Sequence, residues 1–516
     1  MTKKNDKYYL ATVSSNPVEV SEKTNKLVIG QAVLGKRMKI SELFNLNKTQ
    51  YELDFVDIDT QRDIPLFLDP YFISKCEFPF AEAAHFSLHS YFDFLLGLLR
   101  SNQIRTAEEV FAHLGESNDI CMGMSRGTPQ GHGMGPDDTD EIFKSLRKSR
   151  AMQTGIMEDI EDFRIFVPNV DKDKVSDMTA NIIKIHLIDY TIEQCELHNI
   201  PLIDGVPSGM FWDSEHLCWE NKYCKRLVVN NRPILLVPKR IVSYSDKYTS
   251  SEYRQHFVLN YLQHENLQFQ TGLVQKRKDG TEYVTKKSIQ EQNPDMDKEF
   301  LASFTLAHPE VFSDFKASTK SKLDMLSGEG LEAYETKEIC DFLIQKLQDI
   351  PTGTENAGAF HTLMIGIFEL LLYPNLSAPK KETPIHDGRK RIDITYNNSS
   401  ESGFFYTLPN KNPSLPCPFV VIECKNYSGE VKNPELDQLS GRFSNRRGRV
   451  GILSCRSLDS NDGFIKRCAD TYNDERGLII PICDEDIIRA LNDYPTHRTN
   501  AFEGILEKKY REIAFQ

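Results

Sequence analysis

The last third of the chain alternates helix-length segments with short β-branched runs, and this alternation constrains the fold more than any other feature of the sequence. Chains that alternate in this way form a central sheet with helices on its faces. The pattern predicts an α/β domain over residues 335–495 and a further helix over 496–516. Its predicted elements are two helices (337–348, 360–373), two strands (391–396, 419–424), a helix (434–443), a strand (450–454), a helix (463–473) and a strand (478–482).

The region before residue 330 has weaker patterns, and we expect a larger mixed α/β region there, as one body or as subdomains over 1–150 and 151–330. Alternating apolar and acidic residues over 51–59 predict a half-exposed strand. Apolar periodicity predicts one buried helix over 175–198, and paired asparagines inside the run 226–238 predict a β-hairpin. The expected role of this region is sensing, recognition or oligomerisation, through a second copy or a regulatory partner protein.

Charge excludes bulk attraction to nucleic acid, because 62 Lys and Arg against 75 Asp and Glu give a net charge of −13. Any contact with nucleic acid must therefore come from a local basic patch. No apolar run approaches the roughly 20 residues that span a bilayer, and the N-terminus lacks the apolar stretch of a secretory signal. Eleven cysteines without regular spacing fit a reducing compartment. We expect a soluble cytoplasmic protein without a membrane partner.

Three ionisable residues at the ends of two predicted strands form the strongest chemical pattern. Asp393 lies in RKRIDITY, and Glu423 and Lys425 lie in FVVIECKN. Residues two apart in a strand share a face, so Glu423 and Lys425 point the same way. If the strand of Asp393 pairs beside them, two carboxylates converge, and these are the ligands that Mg²⁺ takes from proteins. A lysine there can orient or deprotonate the attacking water, which suits hydrolysis of a phosphodiester.

This pattern resembles the PD-(D/E)XK, or restriction-endonuclease-like, nuclease superfamily over about residues 335–492, with a first strand near 382–386. Asp393 matches the family's first acidic position, and Glu423 with Lys425 matches its (D/E)-x-K. The resemblance implies Mg²⁺, replaceable by Mn²⁺, bound by Asp393, Glu423 and a glutamate of the preceding helix, Glu369. It also implies an assisting glutamine, Gln438, on the helix after the lysine.

The chain departs from the family pattern at three places. An insert rich in Ser, Asn and Pro (397–418) separates the two strands, and Ile392 precedes Asp393 where the family name has proline. Arg442 stands four residues after Gln438, where some exonuclease-like members have tyrosine. An exonuclease subtype is therefore unsupported.

A local basic patch accompanies the motif. From residue 376 to 470 there are 15 Lys and Arg against 11 Asp and Glu, a local net charge of +4. Such a patch predicts contacts with DNA phosphates, which position the substrate without specifying its sequence. Its residues are Arg389, Lys390, Arg391, Arg442, Arg446, Arg447 and Arg449.

The resemblance implies a Mg²⁺-dependent endodeoxyribonuclease, and the large N-terminal region beside it resembles bacterial restriction and anti-phage defence effectors. Two alternatives stay open: a non-catalytic nucleic-acid-binding or scaffold protein on the nuclease fold, and a nuclease acting on RNA or on modified or structured DNA. A zinc site is the weaker metal hypothesis, because His216, Cys218 and Cys224 have no further ligand pair at the usual spacing.

Overall fold

The computed structural model of the chain describes residues 39–61, 63–76, 78–117, 119–122, 136–243, 248–320, 335–385, 390–429, 431–458 and 461–516. Helices and strands both contribute, so the mixed α/β class is confirmed. Among the helices of these ranges, none has the length and apolar character to cross a membrane. All eleven cysteines are free thiols.

Apolar side chains collect in two hydrophobic cores. The first contains buried residues between Ile40 and Phe315. The second contains buried residues between Ile339 and Ile513, joined by Tyr51 and Leu197 from the earlier part of the chain. Side chains before residue 320 therefore pack mainly with one another, whereas those after residue 335 pack around one sheet.

The first core is built mainly from helices. Its longest helix, Pro79–Arg100, begins at proline, whose missing N–H is not needed in a first turn. Helix α1 (Lys184–His198) ends at Asn199, which has the left-handed conformation (φ 55°) common after a helix end. The other α-helices of this part are Ile40–Leu43, Pro70–Lys75, Ile104–Phe111, Pro136–Lys148, Arg150–Thr154, Phe163–Phe166, Lys172–Ile182, Ser250–Tyr253, Leu259–Gln268, Lys286–Gln292, Lys298–Ala307 and Pro309–Lys320.

Strands before residue 320 are short, and they form small antiparallel sheets. The predicted hairpin is confirmed, since Tyr223–Val229 pairs with Arg232–Ile234. Asn230 and Asn231 connect these strands with φ of 50° and 61°, the positive values that a two-residue type I′ turn requires. The remaining strands are Phe67–Leu68 with Val242–Ser243, Ile203–Pro207 with Tyr223–Val229, Phe211–Asp213 with Cys218–Glu220, and Gln275–Lys276 with Glu282–Tyr283.

Two predictions for this part are wrong. The single helix expected over 175–198 is two helices, because Ile183 (ψ 11°) interrupts the helical backbone between Lys172–Ile182 and α1. Residues 51–59 are not a half-exposed strand: the 3₁₀ turn Gln50–Glu52 leads into an irregular segment that is buried throughout.

The acidic residues of that segment are buried because protein groups replace water as their partners. Asp54 accepts a hydrogen bond from the Tyr190 hydroxyl at 2.6 Å and one from the Ala378 amide at 3.1 Å. Asp57 accepts one from the Ser41 hydroxyl at 2.6 Å. Alternation of apolar and acidic residues here marks an internal hydrogen-bonded segment rather than a solvent-facing strand.

Five strands form one mixed sheet after residue 335. They are β1 (Leu376–Ile385), β2 (Lys390–Asn398), β3 (Phe419–Lys425), β4 (Val450–Cys455) and β5 (Leu478–Ile482). Their spatial order is their sequence order. Strands β1, β2 and β3 pair antiparallel, whereas β3, β4 and β5 pair parallel. Every residue of β4 and β5 is buried, as expected for apolar parallel strands.

Helices flank this sheet. The two that matter below are α2 (Ala357–Leu372) and α3 (Asn433–Ser440). Helix α2 packs on the sheet face that carries Tyr396, whose hydroxyl donates to the carbonyl of Ile365 at 3.4 Å. The others are Thr336–Asp349, Gly403–Lys411, Asn461–Asn473, Asp484–His497 and Thr499–Ala514. All predicted elements of this part are present, and the insert 397–418 contains a helix, Gly403–Lys411, that was not predicted.

Candidate active site

The register of β2 and β3 brings Asp393 and Glu423 together. Ile394 pairs with Ile422 and Thr395 with Val421, and one further step of the same antiparallel register places Asp393 opposite Glu423. Residues opposite one another in an antiparallel pair project from the same face of the sheet. The backbone N–H of the next residue of β3, Cys424, donates to Asp393 Oδ2 at 3.1 Å and holds that carboxylate at the strand end.

Lys425 joins the two carboxylates on this face. Its Nζ donates to Glu423 Oε2 at 3.3 Å, and its side chain is 14% exposed. Alternation along β3 explains the contact, because residues two apart in a strand share a face. The structure therefore brings Asp393, Glu423 and Lys425 together, as the sequence predicted from their positions in two neighbouring strands.

Arg442 is the residue whose role was missed. Its Nε forms an ion pair with Glu423 Oε1 at 2.5 Å, and its side chain is 6% exposed. Contrary to the prediction, Arg442 is not part of a surface patch: its guanidinium is a buried counter-ion of Glu423. Its position four residues after Gln438, just beyond α3, can be read from the sequence. Its contact with Glu423 cannot, because that contact joins a loop to a strand.

The electrostatics of the group follow from burial. Burial, the charge of Asp393 and a hydrogen bond to Asp393 raise the pKa of Glu423 to about 7, against the opposing effect of Lys425 and Arg442. Burial alone would lower the pKa of Lys425, but the charges of Glu423 and Asp393 outweigh it and raise that pKa. Lys425 is therefore an ammonium at neutral pH. Two neighbouring carboxylates on one sheet face are a donor set that fits a hard divalent cation, and Glu423 Oε1 would exchange Arg442 for the metal.

Glu369 has contacts elsewhere. It is 1% exposed on α2, and Lys239 Nζ lies 2.9 Å from its Oε1. Burial raises the pKa of Glu369 to about 7, while Lys239 opposes that rise. Among the contacts of the described residues, none joins Glu369 to Asp393 or Glu423. The structure thus brings Glu369 to a lysine of the first core rather than to the predicted metal ligands.

The remaining predicted site residues are exposed, half-buried or outside the described residues. Gln438 is exposed on α3, and no hydrogen bond of the described residues involves it. Arg446 is exposed, whereas Arg447 and Arg449 are half-buried in the same loop. Arg447 Nε donates to the carbonyl of Arg442 at 3.1 Å. Arg389 and the side chains of Lys390 and Arg391 lie outside the described residues, so their predicted phosphate contacts stay predictions.

A second group of possible ligands lies on an exposed hairpin. Ligand atoms of Asp213, His216 and Glu220 lie within 4.8 Å of one another. His216 Nδ1 is already hydrogen-bonded to Asp213 Oδ2 at 2.8 Å, which explains why the pKa of this imidazole is raised. Exposed acidic and histidine side chains form such groups without a metal, and neither Cys218 nor Cys224 belongs to this one.

Comparison with known proteins adds one family. Residues 45–250 match a family described as a domain of unknown function (DUF8370), which covers most of the first core and none of the sheet β1–β5. No curated protein and no solved structure matches the chain.

Proposed function

We propose that the chain is a metal-dependent endonuclease that hydrolyses DNA phosphodiester bonds, with its active site at the ends of β2 and β3. The observation that carries the proposal is the convergence of Asp393, Glu423 and Lys425 on one face of the sheet, with Lys425 Nζ 3.3 Å from Glu423 Oε2. The order of elements from α2 to β4 is that of the restriction-endonuclease-like nucleases, which supports the same conclusion.

Each side chain has a role that its contacts suggest. Asp393 and Glu423 would hold Mg²⁺ or Mn²⁺, which when bound stabilises charge developing on the phosphate. Lys425 is charged at neutral pH and orients the attacking water by donating a hydrogen bond to it. Arg446 and Arg447 lie in the loop beyond α3 and contact the DNA backbone. By resemblance alone, the cellular role is restriction or anti-phage defence.

Cleavage of supercoiled and linear DNA with Mg²⁺ or Mn²⁺ tests the proposal. We expect the wild type to cut, and Lys425→Ala to lose at least about a hundredfold in rate, because general acid–base and positioning groups contribute this much. Lys466→Ala is the matched control, since Lys466 is an exposed lysine of the same domain. Equal cutting by wild type and Lys425→Ala would remove Lys425 from the mechanism. An RNA and a modified-DNA substrate in the same series test the alternative substrates.

One observation favours a second candidate, a non-catalytic nucleic-acid-binding protein. Both oxygens of Glu423 already face a cation, Arg442 on Oε1 and Lys425 on Oε2. A metal must displace one of them, whereas a binding protein would keep both. Mn²⁺ titration of the wild type and of Arg442→Gln separates the two candidates. Tighter Mn²⁺ binding by the variant indicates a competed metal site, and no binding by either protein supports the non-catalytic candidate.

A further inference from the structure

A cavity of about 450 Å³ lies between α1 and the sheet face that carries the candidate active site. This volume falls within the roughly 300–1,000 Å³ of small-molecule sites. One wall is a face of α1 that includes His186, Tyr190 and Glu193. The opposite wall is formed by Thr395 and Asn397 of β2 with residues of β1 and β3.

The cavity lies on the same sheet face as the candidate active site, beside it along β2 and β3. Asp393, Thr395 and Asn397 alternate along β2 and therefore share one face. Register places Val421 opposite Thr395, and Val421 lies two residues before Glu423. Two residues along a strand span roughly 7 Å, so a group in the cavity lies about one nucleotide's width from the carboxylate pair.

Asn397 indicates what the cavity binds. It is 7% exposed, it lines the cavity, and its side-chain amide makes no hydrogen bond with the described residues. The amide nitrogen and oxygen remain accessible from the cavity, so a ligand with a complementary donor and acceptor edge can bond both. The neighbouring hydroxyls of Thr383 and Thr395 are 3.0 Å apart and bond each other. Asn397 is therefore the side-chain amide that a ligand in the cavity can bond.

The other walls add aromatic surface and a cation. Phe80 and Tyr190 pack edge to face at 5.8 Å and present aromatic surface to the cavity. Lys380 is paired with Glu193, so these two charges offset each other. Arg447, whose Nε is bonded to a carbonyl, forms no ion pair with the described residues and keeps its charge for an anion. Asp189 of α1 is an exposed acceptor at the rim.

We infer that this cavity binds a nucleobase, with Asn397 on its hydrogen-bonding edge, Phe80 or Tyr190 against its ring and Arg447 on its phosphate. A planar ring that carries adjacent donors and acceptors matches the amide and the aromatic walls, and stacking of a base is worth about 1–3 kcal/mol. Two sources supply this chemistry: a base turned out of the DNA substrate, and a free nucleotide. The first source rests on the proposed nuclease function, whereas the second does not.

Equilibrium binding by the full chain tests the inference with two sets of probes. The first set is the four free deoxynucleoside monophosphates, and the second is a duplex with one unpaired, extrahelical base beside the fully paired duplex. We expect the wild type to bind at least one monophosphate, or to prefer the duplex with the extrahelical base. Asn397→Leu, which keeps the side-chain size, should weaken that binding by about tenfold. Arg447→Gln should weaken binding of the monophosphate but not of the corresponding nucleoside.

Asn410→Leu is the matched control, because Asn410 is an exposed asparagine on the helix Gly403–Lys411, outside the cavity lining. Binding of neither set by the wild type, or equal binding by wild type and Asn397→Leu, overturns the inference. If Asn397→Leu does not fold, Phe80→Ala at the half-buried rim replaces it. Cleavage assays on the same preparations separate the two proposals. Cutting without base binding contradicts this inference alone, and base binding without cutting contradicts the nuclease proposal alone.

Discussion

A single guanidinium controls the charge balance of the candidate site. Arg442 is followed four and five residues later by Arg446 and Arg447, and sequence alone assigns all three to a phosphate-binding surface. The structure separates them, because only Arg442 reaches a buried carboxylate. A buried charge is tolerated only when it is paired, so Glu423 depends on Arg442 and Lys425 for its ionised form.

Arg442→Gln should lower the free energy of unfolding by about 2 kcal/mol, because it leaves Glu423 with one cation instead of two in a buried site. Urea denaturation at pH 7.5 measures the change. Arg446→Gln, an exposed arginine of the same loop, is expected to stay within about 0.5 kcal/mol of the wild type. Equal stability of the two variants would show that Arg442 contributes no more than a surface charge.

Asp177 predicts a pH dependence of stability outside the candidate site. Burial, followed by the charge of Asp173, raises its pKa to about 8, and its Oδ1 accepts only a long hydrogen bond from the Ser117 amide (3.4 Å). In the unfolded chain this carboxyl has a pKa near the usual value of about 3.9. The folded state therefore holds a proton that the unfolded state loses between pH 4 and 8, and stability falls by up to about 1.4 kcal/mol per pH unit there.

Asp177→Asn replaces this carboxyl with a neutral amide that does not titrate. The advantage of the variant in melting temperature over the wild type should therefore grow from pH 5 to pH 8. Thermal unfolding monitored by circular dichroism at several pH values measures this difference. Asp295→Asn, at an exposed aspartate, should show the same small difference at every pH. A constant difference for Asp177→Asn would contradict the assignment.

At the scale of elements, the loop between α3 and β4 connects the site to its surroundings. It carries Arg442 inward to Glu423, Arg447 to the cavity and Arg446 to solvent. Gly448, with φ of 103°, makes this possible, because a Cβ there would lie 2.5 Å from the carbonyl oxygen of Phe419. The loop is thus held against β3, and its arginines have fixed and different surroundings.

Reversal of charge at the outer arginine tests the loop as a DNA contact. Arg446→Glu should weaken DNA binding and reduce the salt dependence of the binding constant by about one phosphate contact. Fluorescence anisotropy with a labelled duplex at several salt concentrations measures both effects. Arg511→Glu, at an exposed arginine of the C-terminal helix, is the control. Unchanged affinity at low salt for Arg446→Glu would exclude Arg446 from the interface.

At the scale of the whole molecule, buried polar contacts join the two cores. Lys239 pairs with Glu369 of α2 and also donates to the carbonyl of Leu53 at 2.6 Å. Arg240 donates to the carbonyls of Pro374, which precedes β1, and Ser399, which follows β2. Asp54 adds a bridge between α1 and β1, because it accepts hydrogen bonds from Tyr190 and from the Ala378 amide, and the cavity lies between these two elements.

A double-mutant cycle on Lys239 and Glu369 measures this connection. Each single change, Lys239→Met or Glu369→Leu, leaves a buried charge without its partner and should cost about 3–5 kcal/mol of stability. The double variant should be more stable than either single one, since two apolar side chains of similar volume replace the pair. Additive losses would show that the two side chains act independently. Glu369→Gln should also retain DNA cleavage, in contrast to the metal-ligand role that the resemblance implies.

The sequence by itself determined the helices and strands of the second core and the ionisable residues at two of its strand ends. Hydrophobic periodicity and chain order are local properties, and they place Asp393, Glu423 and Lys425 at the ends of two strands that follow each other in the chain. The hairpin at Asn230–Asn231 followed for the same reason, because turn geometry depends on two residues.

Only the tertiary structure decided which charged side chains are buried and which groups they pair with. The sequence pattern suggests that Asp54 and Arg442 are solvated and that Glu369 is a metal ligand, yet all three are buried against partners distant in the chain. Local pattern cannot specify such partners, because burial of a charge depends on long-range packing that supplies a counter-charge or a hydrogen bond. For the same reason the sequence does not predict the cavity, because its walls come from α1 and the sheet, which only tertiary packing places opposite each other.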